Sequence, residues 1–121
     1  MSRLSFLSPE SAPLRILEVR GGIPAGSIPI GRDRALLVGE ETSDLSGYRV
    51  YDMSAALVAV EVESEALLGR VTELTEFPAI GSILRGVQAV IERRGPGFRL
   101  LVPQELAQYA RETIDDLRSG L

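Results

Sequence analysis

Three groups of side chains in this 121-residue sequence have types and spacings that could do chemistry. Glu61, Glu63 and Glu65 alternate through one short run and, if they faced one way, would offer carboxylate oxygens to a hard cation. Arg93, Arg94 and Arg99 sit close together, where a planar guanidinium fork could grip the carboxylate or phosphate of a ligand or partner. Asp52 and Ser54 have the look of an acid beside a nucleophile, but a serine needs a base to activate it. Each group also has a purely structural reading. The glutamates fit a solvated strand-to-helix junction with Glu65 favoured by the helix dipole, the arginines a soluble hairpin, and Ser54 a turn or cap. Asp115 and Asp116 lie near a helix C-terminus, which the dipole disfavours.

Composition removes most alternatives. There is no Cys, His, Trp, Lys or Asn. Without Cys or His, neither a zinc site of thiolates and imidazoles nor a Cys-His or Ser-His-Asp system can be built. Without Lys there is no Walker phosphate loop and no Schiff base. We therefore expect no catalytic residue and no metal ligand set. All 13 basic residues are Arg, a bias that a GC-rich genome produces as readily as function does. A net charge of −4 argues against nucleic acid as the principal partner, because that binding is driven by basic charge. The chain is 45% hydrophobic and 25% charged, with no apolar run long enough to span a bilayer and no signal-peptide pattern. A cytoplasmic location is expected.

The elements that must position these residues are organised around Val50 to Leu74. LVAVEV, from Leu57 to Val62, is a strand pattern, and beyond Ser64 the apolar positions Leu67, Leu68, Val71 and Leu74 fall on one helical face. Ser64 to Thr75 is the expected first helix. Before it, residues 1–14 read as an extended arm whose Phe6 and Leu7 pack either on their own domain or on a partner; residues 15–121 read as one domain. RILEVR (Arg15 to Arg20), RALLV (Arg34 to Val38) and Tyr48 to Asp52 are extended, and the segment from Gly21 to Gly31 is a loop. Pro78, Gly81 and Gly86 interrupt the stretch after the first helix. VQAVIER and GFRLLV then flank Arg94-Gly95-Pro96 and predict a hairpin. The final helix is expected from Pro103 to Ser119, with Leu106, Tyr109, Ile114 and Leu117 against a sheet. From Leu57 onward the order is β-α-β-β-α, most of a ferredoxin-like plan: an α+β fold with a mainly antiparallel sheet, two helices on one face and extra N-terminal strands. One of those strands could fill the vacant fourth place at the sheet edge.

Tyr51-Asp52-Met53-Ser54, with Val60, Val62, Ala66 and Leu68 behind it, resembles the start of the folate-binding aminomethyltransferase domain of the glycine-cleavage T-protein superfamily. The hairpin from Val87 to Val102 and the Tyr109 helix are similar to the same domain's hairpin and helix. In length the chain is closest to the gamma subunits of heterotetrameric sarcosine oxidases. That resemblance implies a non-catalytic accessory subunit that assembles with larger flavin- and folate-dependent subunits in one-carbon amine metabolism; the candidate partner or ligand contacts, read from the residues themselves, are Phe6, Leu7, Arg93, Arg94 and Arg99. It implies no cofactor held by this chain alone, because Glu63 replaces a family glycine and the short Arg94-Gly95-Pro96 turn replaces the segment carrying the folate-contacting acid. The alternative is a module that binds tetrahydrofolate or another small ligand, as a homodimer or a regulatory monomer.

Overall fold

The computed structural model describes residues 14–39 and 44–120. Phe6 and Leu7 lie outside them. Among the described residues, eight strands and two α-helices follow in the order β1 (Ile16–Arg20), β2 (Ile28–Gly31), β3 (Arg34–Val38), β4 (Arg49–Asp52), β5 (Leu57–Val62), α1 (Glu65–Val71), β6 (Ala79–Ile83), β7 (Val87–Arg94), β8 (Gly97–Pro103) and α2 (Ala107–Ser119). The fold is α+β, with two antiparallel four-stranded sheets ordered β2-β3-β1-β4 and β5-β8-β7-β6.

The turn into α1 forms where the sequence changes period. Ser64 is extended and its Oγ accepts the Leu67 amide at 3.1 Å, satisfying one of the donors that a helix start leaves open. Leu67, Leu68 and Val71 are buried from that helix. Alternation does the same for the second sheet: Val60 and Val62, Val87, Ala89 and Ile91, and Phe98, Leu100 and Val102 share a core with both helices. Strand β8 lies between β5 and β7, so the segments β5-α1-β7-β8-α2 follow the expected split β-α-β arrangement.

Strand β8 is buried along almost its whole length because both of its faces are covered. On the face away from the helices, Leu101 meets Ile16, Ile28, Leu36 and Val38 of the first sheet, with Leu57, Ala59 and Val90 around them. The molecule is thus helices on sheet on sheet. The N-terminal strands form this separate sheet; they do not fill the place beside β5 at the edge of the second sheet.

Three further expectations are corrected. Ile28–Gly31, read as loop, is edge strand β2, where Pro29 is tolerated. Ala79–Ile83, read as an interrupted stretch, is edge strand β6; Gly81 suits it because Leu74 occupies the space a side chain would need, its Cδ1 2.7 Å from where a Cβ would lie. Tyr109 is 50% exposed, whereas Ala107, Ala110 and Ile114 are the residues of α2 that are buried. The helix limits also move: α1 stops at Val71, and Gln104–Leu106 form a single 3-10 turn before α2.

One buried charge is built into the first sheet. Glu18 accepts from Arg20 Nε at 2.7 Å and Arg34 Nε at 3.0 Å. Burial pushes its carboxyl up, but these two hydrogen bonds and the charges behind them outweigh that and hold it below its ordinary value of 4.5. A depressed carboxylate contributes stability that is present above the unfolded value and is lost as pH falls through the folded one. Unfolding free energy should therefore decline as the solution is acidified below about pH 4.5. Denaturation of Glu18→Gln across this range should show lower stability at neutral pH and a flatter acid limb; an unchanged acid limb would contradict the assignment.

Candidate functional site

The arginines expected to act together are separated by the pleat. Arg93 lies on the helix side of β7, its guanidinium 4.6 Å over the Phe98 ring and its Nη2 2.8 Å from Glu65. Arg94 is exposed, opposite Gly97 at the hairpin end. Arg99 points to the other face and is buried, its Nη2 2.7 Å from Glu92. Arg93 and Arg94 are accessible; Arg99 is enclosed between the sheets.

The glutamates diverge as well. Glu63 accepts from Arg118 at 2.7 and 2.9 Å, a two-pronged contact that ties the β5–α1 junction to the end of α2. Those hydrogen bonds hold the Glu63 carboxyl below its usual range. Glu65 turns to Arg93 instead. Among the described residues no group of acids is placed to hold a metal ion. Arg118 also contacts Asp115, giving that acid a partner at the helix end where the dipole opposes it.

Asp52 and Ser54 build a turn. The Ser54 hydroxyl and amide hold the Asp52 carboxyl below its ordinary value, with the amide 2.9 Å from Oδ1. The Ser54 Oγ also accepts the Ile16 amide at 2.9 Å, tying the start of β1 to the chain after β4.

A groove missed by the sequence reading opens between the end of α1, the β6–β7 turn and α2. It encloses about 920 Å³, with Leu74, Leu84 and Leu117 along its bed and Arg70, Arg85 and Tyr109 around it. The turn is tight: the Gly86 amide donates to the Ile83 carbonyl at 3.0 Å, and both central residues are left-handed, Leu84 at φ 49° and Arg85 at φ 64°. Such turns usually carry Asn or Gly, and an ordinary side chain there costs about 1–2 kcal/mol per residue. Packing outweighs that cost, because the Leu84 amide bonds the Val71 carbonyl at 2.9 Å and its side chain joins the helix-side core. The Thr72 hydroxyl is already committed to the Ser82 carbonyl at 2.9 Å. Glu73, Ser82 and Thr113 complete the polar part of its lining. The recoverable signal was the hydrophobic stretch around Gly81, which forms β6 and places the turn.

The architecture defines a class first: a helix-covered antiparallel sheet of ferredoxin-like order, backed by a second sheet. Solved structures contain a likeness of this whole arrangement. A chain of heterotetrameric sarcosine oxidase from Corynebacterium sp. U-96, determined in complex with pyrrole 2-carboxylate, superposes with a TM-score of 0.69 at 15% identity, covering 90% of this chain and 81% of that one. At that identity the likeness is one of fold. No protein-family model matches the sequence, and no curated protein matches it. Among the described residues no helix is long and apolar enough to cross a membrane.

Proposed function

We propose that this chain is a non-catalytic accessory subunit, resembling the gamma subunit of sarcosine oxidase, that assembles in the cytoplasm with larger flavin- or folate-dependent subunits of one-carbon amine metabolism. The observation that carries the reading is the fold likeness to a chain of a heterotetrameric enzyme across 90% of this sequence. The side-chain inventory supports it, since the sequence contains neither His, Cys nor Lys, and Glu63 and Glu65 are engaged in ion pairs and Asp52 in a turn. In this reading the subunit contributes shape and binding surface, with the exposed Arg93 and Arg94 among its contacts, while bond-making groups and cofactors belong to its partners.

The groove beside Tyr109 favours a second reading, a module that binds tetrahydrofolate or another small ligand by itself, because its volume lies in the range of small-molecule sites. Incubating the purified chain with tetrahydrofolate and an N-methylated amine separates the two. The accessory-subunit reading expects no turnover and no tight folate binding by calorimetry. A micromolar affinity that weakened on changing Tyr109 or Arg85 would favour the ligand-binding module.

A further inference from the structure

We propose that the edge of β5, which no described strand covers, is a docking site for an extended, acid-bearing segment of a partner polypeptide, which adds as a strand beside it. The inference deepens the accessory-subunit reading and rests on it for the partner's identity alone. The geometry begins with register. The Gln104 amide donates to the Ala56 carbonyl at 2.8 Å, and Val58, Val60 and Val62 stand opposite Val102, Leu100 and Phe98. In an antiparallel ladder the bonded pairs alternate, so the even-numbered residues of β5 bond β8 and the odd-numbered ones turn their N–H and C=O groups outward. The Leu57 amide is used by the Met53 carbonyl at 3.1 Å. The backbone groups of Ala59 and Glu61 remain, and among the described residues no strand pairs with them.

Beside this edge runs a cleft of about 310 Å³ between β5 and α2, lined by Ile114 and by Arg111, Asp115 and Arg118 of α2, with Glu61 on the edge itself. An added strand would lay alternate side chains into that cleft while its main chain continued the ladder. Charge selects the occupant. Arg118 is engaged by Glu63 and Asp115, and Glu61 falls by alternation on the face of β5 away from the helices, so on the helix side the exposed Arg111, which forms no ion pair among the described residues, is the unmatched charge. An acidic side chain on the incoming strand would meet Arg111 with opposite charge. A second copy of this chain, set edge to edge about a two-fold axis, would instead offer Val58, Val60 and Val62 on the helix side of its β5 and no acid from that strand to meet Arg111.

The test uses the full chain and two end-blocked peptides, one alternating Val with Glu and the other Val with Lys. In amide spectra the Val-Glu peptide should shift Ala59, Glu61 and Arg111 together, and the Val-Lys peptide should bind about tenfold more weakly or worse. Ala59→Pro removes an outward N–H without touching the bonds to β8 and should reduce binding at least about tenfold. Arg111→Glu, at an exposed helical position that leaves folding intact, should reverse the preference between the peptides. The proposal is overturned if neither peptide shifts Ala59 and Glu61. It is equally overturned if those amides resist hydrogen exchange in the free protein, which would mean the chain covers its own edge, or if the edge proves to be a self-association interface. Peptide binding without any flavoprotein partner in cells would leave the docking edge standing and remove the accessory-subunit reading; the reverse pair of results would do the opposite.

Discussion

Phe98→Ala should lower the unfolding free energy by about 3–5 kcal/mol, the usual cost of truncating a buried aromatic. Phe98 is 1% exposed, at the centre of the helix-side core. The Phe77 ring meets it edge to face at 5.1 Å, and Arg93 caps it from outside. Removing the ring therefore leaves a cavity bounded by side chains from the sheet, α1 and the segment after α1, which cannot all collapse into it. Against a total stability of about 5–15 kcal/mol for a domain of this kind, such a loss brings the protein close to unfolding at physiological temperature. Urea denaturation of the variant measures it directly. A loss below about 1 kcal/mol would show that Phe98 is not where this packing places it.

Arg99→Ala should be nearly as damaging, at about 3 kcal/mol, for a different reason: it strands the Glu92 carboxylate in the same poorly hydrated space. Both side chains are largely enclosed, at 8% and 16% exposure, and their contact is 2.7 Å. Desolvating two ions is expensive, so the pair is not itself a source of stability. Replacing both with apolar groups, as in Arg99→Met with Glu92→Leu, should recover most of the loss, and a double-mutant cycle would expose the coupling. A cycle in which the two changes simply add would contradict a buried pair.

These two residues mark the boundary of what the sequence reveals. Phe98 lies in the hairpin from Val87 to Val102, which was readable because two apolar, strand-forming runs flank plain turn chemistry at Arg94-Gly95-Pro96. The handover at Ser64 was readable for the same kind of reason: a strand pattern, a capping residue and a helical pattern follow without interruption. Arg99 was not readable as buried. A charged residue in an alternating strand looks solvated unless a second layer covers that face, and the covering layer here is a sheet assembled from four short segments far away in the chain. Strands β2 and β6 were hidden because both are short edge strands containing Pro29 or Gly81, residues that signal loops in isolation. Tyr109 keeps the helical spacing yet sits at the margin of the buried stripe, where periodicity alone does not separate contact with the sheet from contact with solvent. The groove it borders depends on β6 and on two left-handed residues at Leu84 and Arg85, neither of which follows a local composition rule.

The sequence also contains nothing that would choose between an accessory subunit and an independent binding module, since the relevant information is what meets the surface around Arg93, Arg94, Arg111 and the edge of β5. Purification of the tagged chain from its own cells, followed by native mass spectrometry, tests the central claim most directly. The account predicts a stoichiometric complex whose other chains include a flavin-bearing amine-oxidising or aminomethyltransferase-like subunit, identified by its mass and its flavin absorbance. A chain recovered alone as a monomer, with no such subunit at any salt concentration, would contradict it.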